Sequence, residues 1–155
     1  FFHGNSSGLD PLTIYLNEAL IVEGDPIEII PELQLRNKFA LIDSGQTRNT
    51  KSLVAYYLQQ LQDPDFSNAI VRLNMLNEQA INAIVSQDQD LKPIMAQISQ
   101  LQFDFFQHMI CDSVRDIWKS GLESGKYFMK LSGAGGGGCF LVYGDFGGLG
   151  GVMII

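Results

Sequence analysis

Apolar positions along this chain follow two different periods, and the changes between them mark the elements. Asp10-Pro11 reads as an N-cap followed by proline at the first helical position, which predicts a short helix through about Asn17. Ala19 to Glu23 and Ile27 to Ile30 are short β-branched runs split by Gly24-Asp25-Pro26, the pattern of a hairpin. Lys38 to Asp43 is a further strand, punctuated by Ser44-Gly45-Gln46. The period then lengthens. Leu53/Val54, Tyr57, Leu58 and Leu61 predict a helix from about Thr50 to Gln62 that stops before Asp63-Pro64. Two longer helices follow, one striped by Ile70, Leu73, Ala80, Ile81 and Ile84, the next by Ile94, Ile98, Leu101, Phe105 and Met109. A last helix carries Val114, Ile117, Trp118 and Leu122 and ends at Gly125. Tyr127 to Leu131 and Cys139 to Tyr143 are strands on either side of a glycine run, an expected antiparallel pair. In the glycine-heavy tail, residues 152–155 suit one edge strand. The expected fold class is α+β, an antiparallel sheet packed against several helices.

Composition narrows the function. A chain of 155 residues that is 46% apolar and 17% charged suits one globular domain. Its 17 acidic against 10 basic residues give a net charge of −7, which disfavours a nucleic-acid surface, since no basic stripe is present to neutralise successive phosphates. A phosphorylated small ligand stays compatible, because backbone N–H groups and a local cation hold phosphate in an acidic protein. Cys111 and Cys139 are too few for a disulfide framework and lack metal-ligand spacing with His3 and His108, so reduced thiols and a cytoplasmic setting are expected. No run of eighteen apolar residues and no signal-peptide pattern occurs, so no membrane partner is expected.

The glycine run Gly133-Ala134-Gly135-Gly136-Gly137-Gly138 formally contains G-x-G-x-x-G, the dinucleotide fingerprint. That fingerprint needs a helix to open directly after it, whereas Cys139-Phe140-Leu141-Val142-Tyr143 is strand-like. A phosphate loop of the G-x-x-x-x-G-K-[ST] kind is also absent, because Gly125-Lys126-Tyr127 lacks both the spacing and the hydroxyl. What the run supplies is consecutive backbone without Cβ atoms, suited either to a tight turn or to close approach of a ligand.

The flanking residues extend that signal. Lys130-Leu131-Ser132-Gly133-Ala134-Gly135-Gly136-Gly137-Gly138-Cys139 resembles the KLTGAGGGG motif of the GHMP kinases, which act on galactose, homoserine, mevalonate and phosphomevalonate. At the other end, His3-Gly4-Asn5-Ser6-Ser7-Gly8-Leu9-Asp10 resembles the HGxPSGxD motif of mevalonate kinases, with Ser6 in place of the usual proline. Between them, Arg48-Asn49-Thr50 resembles the RNT segment of the same kinases. The three occur in family order and span nearly the whole chain.

The resemblance implies the ferredoxin-like C-terminal domain of a GHMP kinase over residues 1–155, with about residues 1–20 belonging to the preceding catalytic segment. It implies a kinase that transfers the γ-phosphoryl group of ATP to a small hydroxylated metabolite, mevalonate or a relative, in isoprenoid biosynthesis. Asp10 then takes the catalytic place beside the acceptor hydroxyl. Read alone, Asp10 before Pro11 is an N-cap, and the two roles are geometrically compatible. His3, Gly4, Asn5, Ser7, Gly8, Arg48, Asn49 and Thr50 fall to acceptor binding, with His3 read as a loop or core histidine and not as a catalytic group. Ser132 and Gly133 to Gly138 close over phosphates. ATP and Mg²⁺ are expected to be held mainly by an N-terminal half that these residues do not include; no metal ligand is expected within them. The 155-residue chain alone is therefore expected to show no turnover. The alternative is a non-catalytic binding or regulatory module on a kinase-like fold. A helical interaction protein, suggested by the amphipathic stripes, explains neither terminal motif.

Overall fold

The computed structural model describes residues 9–22, 27–30, 38–47, 50–87, 90–150 and 152–154. The chain divides into two compact units, Phe1–Gln34 and Leu35–Ile155. In the first, helix α1 (Leu9–Leu16) precedes strands β1 (Ala19–Ile21) and β2 (Glu28–Ile30). The strands pair antiparallel with Ala19 opposite Ile30, the hairpin expected of two β-branched runs. Helix α1 starts at Leu9, so Asp10 lies inside its first turn and not ahead of it. Pro11 accommodates this, because N–H groups of a first turn have no intrahelical partner to lose.

The second unit runs β3 (Phe39–Asp43), α2 (Thr50–Gln60), α3 (Pro64–Ser86), α4 (Leu91–Phe105), a 3₁₀ turn (Gln107–Met109), α5 (Asp112–Ser124), β4 (Tyr127–Leu131), β5 (Cys139–Gly144) and β6 (Val152–Ile154). Its sheet has the order β4-β5-β3-β6, antiparallel throughout. The period of two along the strands fixes what each face carries. Met129, Val142 and Ala40 are register partners in one row, and Leu131, Phe140 and Ile42 in the next. All six are buried.

Helices α4 and α5 pack on β4, and α3 packs on α4. Trp118 of α5, wholly buried, sets its ring edge-on to Phe140 at 6.0 Å. Burying such side chains stabilises the fold by about 1.5–3 kcal/mol each. The tail strand β6 pairs with β3 at the margin of the sheet, as its apolar residues suggest.

Helix starts and stops follow local chemistry. Asp63 caps α3 by accepting from the Asp65 N–H at 2.9 Å, and Asp90 caps α4 by accepting from the Lys92 N–H at 3.0 Å. The seam of α3 differs from the expected stripe. Phe66, Ala69, Leu73, Leu76, Ala80 and Ala83 are buried, while Ile81 is 42% exposed. Small alanines let α4 approach closely, which places the larger aliphatic side chains at the flanks. Phe105, expected in the α4 stripe, is likewise 38% exposed because the helix gives way at Phe106 to the 3₁₀ turn.

Two polar side chains lie in this core. Ser99, wholly buried on α4, accepts hydrogen bonds at Oγ from Trp118 Nε1 at 2.8 Å and from the Met129 N–H at 3.2 Å. Gln102, one helical turn on, accepts at Oε1 from the Leu131 N–H at 2.9 Å. The N–H groups of Met129 and Leu131 are thereby satisfied, as buried donors require. Among the described residues no helix is long and apolar enough to cross a membrane.

Candidate functional site

The glycine loop leaves β4 at Leu131 and returns as β5 at Cys139. Gly133, Gly135, Gly136 and Gly138 have φ of 70°, 69°, 69° and 66°, and Gly137 has 148°, all in the region that side chains disfavour. Close approach adds a second requirement. A Cβ on Gly135 would meet the Met109 carbonyl oxygen at 2.5 Å, and one on Gly136 would meet Leu53 Cδ1 at 2.5 Å.

The loop is fastened at three points. Gly136 donates its N–H to the Met109 carbonyl at 2.6 Å, Gly138 donates to the Gln46 carbonyl at 2.9 Å, and the Gly138 carbonyl accepts from the Ser44 N–H at 2.9 Å. The close approach that consecutive glycines permit is made here to the neighbouring backbone of Met109 and to the side chain of Leu53. The N–H groups of Gly133 and Ala134 engage no other group among the described residues.

The acceptor carbonyl at Met109 is itself held in place. Arg115 Nη2 donates to the carbonyls of Gln107 at 3.0 Å and Ile110 at 2.8 Å, bracketing the 3₁₀ turn that presents Met109. Arg115 Nε also pairs with Asp112 at 3.5 Å. Ser113 Oγ donates to the Ser44 carbonyl at 3.0 Å, tying α5 to the end of β3.

Two cavities flank the loop. The first, about 440 Å³, is lined by Gly136 with Gln46, Thr47, Ser52, His108 and Arg115. His108 stacks on Tyr56 of α2 with ring centroids 4.4 Å apart. The second, about 270 Å³, lies by Gly133 and Ala134 among Leu53, Tyr57, Phe106 and Gln102. Lys130, just before the loop, donates from Nζ to the Leu131 carbonyl at 3.3 Å, and burial pushes its ammonium below the ordinary lysine pKa. Cys111 and Cys139 are both free thiols.

Of the residues expected from the sequence, Ser132 and Gly133 to Gly138 form this loop. Thr50 opens α2, as expected of a segment at a helix start, and its neighbours Thr47 and Ser52 line the polar cavity beside Gly136. Asp10 sits in α1 of the other unit. His3, Gly4, Asn5, Ser7, Gly8, Arg48 and Asn49 lie outside the described residues. Sequence reasoning missed His108, Arg115, Met109 and Gln102. Gln102 carried a signal: with Ser99 it sets two polar residues three apart inside an apolar helix. The others carried none.

The fold, an α+β arrangement with a glycine loop between antiparallel strands, is similar to that of a solved kinase. The comparison that shows it is with L. major mevalonate kinase, solved in complex with R-mevalonate: TM-score 0.69, 20% identity and 93% of this chain covered. The chain spans 45% of that kinase's length. No protein-family model and no curated protein sequence matches the chain.

Proposed function

We propose that this chain is the C-terminal part of an ATP-dependent kinase that phosphorylates a small alcohol, mevalonate or a chemical relative. The observation that carries the reading is the glycine loop: it is held at three points with the N–H groups of Gly133 and Ala134 left open, on a GHMP kinase-like fold. In the reaction, the acceptor hydroxyl oxygen bonds to the γ-phosphorus of ATP and the bond to the β–γ bridging oxygen breaks, releasing ADP. Asp10 takes the hydroxyl proton or orients it. Arg48, Asn49 and Thr50, with the segment His3-Gly4-Asn5 and Ser7-Gly8, bind the acceptor. Ser132 and the open N–H groups of the loop donate to phosphate oxygens.

A divalent cation such as Mg²⁺ supplies charge neutralisation when bound. The resemblance assigns its ligands to the N-terminal part of the kinase; among the described residues no cluster of three or more His, Cys, Asp or Glu is placed to hold one.

The test uses radiolabelled ATP, Mg²⁺ and a panel of mevalonate, phosphomevalonate, homoserine and galactose, with this chain in its natural sequence context. Transfer to one acceptor, lowered about 10²–10⁴-fold by Asp10→Asn, is expected. Absence of transfer to every acceptor overturns the reading. Ligand binding that survives Asp10→Asn with no transfer identifies a non-catalytic module instead. The 155-residue chain alone is expected to give no turnover, and phosphorylation of mevalonate by it overturns the assignment as a part.

A further inference from the structure

The cavity of about 270 Å³ beside Gly133 and Ala134 has a feature that simple packing does not need. Its walls are apolar, from Leu53, Tyr57, Leu73, Phe106 and Met109, yet Gln102 also lines it. Gln102 is 4% exposed. Its Oε1 must face β4 to accept the Leu131 N–H, which directs Nε2 the other way. That nitrogen donates to no group among the described residues, and no wholly buried side-chain nitrogen or oxygen lacks a partner, so open space of the cavity reaches it. A buried amide with spare donors in an apolar chamber is matched by a ligand that brings one acceptor and otherwise only hydrocarbon.

We infer that this chamber is a binding site for a small, uncharged, mainly apolar molecule with a single carbonyl-type oxygen, placed to accept from Gln102 Nε2. The volume sets the size: it exceeds the roughly 150 Å³ that encloses benzene and falls below the range of drug-sized ligands, so about ten non-hydrogen atoms fill it. No ionic side chain lines the chamber, which favours an uncharged ligand over a charged one. Gln102 and the apolar walls are not among the groups assigned to phosphoryl transfer, although Gly133 and Ala134, which border the chamber, are.

The test is a titration of this chain in its natural sequence context with acetophenone and with isopropylbenzene, which share shape and non-hydrogen atom count but differ in the carbonyl. Binding is followed by the side-chain amide resonance of Gln102 and by thermal shift. Acetophenone is expected to bind saturably, to move the Gln102 amide signal and to bind about fivefold or more tighter than the hydrocarbon. Ala134→Leu, which fills the chamber from the loop, is expected to abolish binding of both. Failure of acetophenone to saturate, an unmoved Gln102 amide, equal or tighter binding of isopropylbenzene, or binding that survives Ala134→Leu in a folded variant each overturns the assignment. If Ala134→Leu does not fold, the two-probe comparison and the Gln102 signal decide alone.

Discussion

Helices α4 and α2 both border the glycine loop, and they are held in opposite ways. Helix α4 buries Leu91, Ile94, Met95, Ile98, Ser99, Leu101 and Gln102, with two of these bonded to the backbone of β4. Helix α2 buries Leu53 alone among its described side chains and leaves Val54 and Leu58 about half exposed. The loop is therefore framed by one wall that belongs to the core and one that buries fully only Leu53 among its described side chains, with Tyr56 and Tyr57 partly buried beside it. Core walls fix geometry, whereas weakly attached elements open at low free-energy cost. The cavity linings follow that split: Gln102, which lines the smaller cavity, comes from the fixed wall, and Leu53, which lines each cavity, from the lightly held one.

The difference is open to direct attack by mutation. The largest expected effect is Ile98→Ala in α4, about 4 kcal/mol of lost stability in urea titration, because the site is wholly closed. Ser99→Ala should cost about 3 kcal/mol, since it leaves Trp118 Nε1 and the Met129 N–H unpaired inside the core. Leu53→Ala in α2 should cost about 2 kcal/mol, less than either, because the helix can settle into the space. Equal losses for Leu53→Ala and Ile98→Ala would erase the distinction between the two walls. Gly138→Ala sharpens it from the loop side: nothing lies within 4 Å of the new Cβ, so the loss of about 1 kcal/mol is the conformational cost of φ 66° alone. Gly135→Ala, which adds the collision with the Met109 carbonyl, should lose more.

The smallest effect is a pH dependence at Lys130. Burial lowers its pKa in the folded chain, so the unfolded chain holds that proton more tightly. The folded state pays this penalty in full below the folded pKa and recovers it as pH rises to the unfolded lysine value. Lys130→Met should thus raise the melting temperature slightly at pH 7, with the gain shrinking as pH approaches the ordinary lysine range. A gain that grows with pH contradicts the assignment to burial.

Most of the elements were legible because the signals that start and stop them are local. The β-branched runs around Gly24-Asp25-Pro26, Asp63-Pro64 at the start of α3 and Gly125 after α5 all act within a few residues. The helix seams were less legible, because close packing of α3 against α4 selects Ala69, Ala80 and Ala83 over bulkier neighbours such as Ile81. At the site, the glycine run was legible as a motif, but its fastening was not. The partners are main-chain carbonyls of Met109 and Gln46, to which any residue type contributes equally, so no side chain announces them. Arg115 is similar: its work is to hold two carbonyls of a neighbouring turn, and in sequence it is one more cation on a helix.

The bonds from α4 to β4 also govern how this sheet meets other molecules. An exposed sheet margin invites a strand from a second chain, since it offers a row of free donors and acceptors. On the β4 side that offer is withdrawn, because the outward N–H groups of Met129 and Leu131 are already spent on Ser99 and Gln102. A serine and a glutamine of a helix thus do for this margin what charges, prolines or bulges do in other sheets: they deny an intruding strand its docking row, on the strand that leads into the glycine loop.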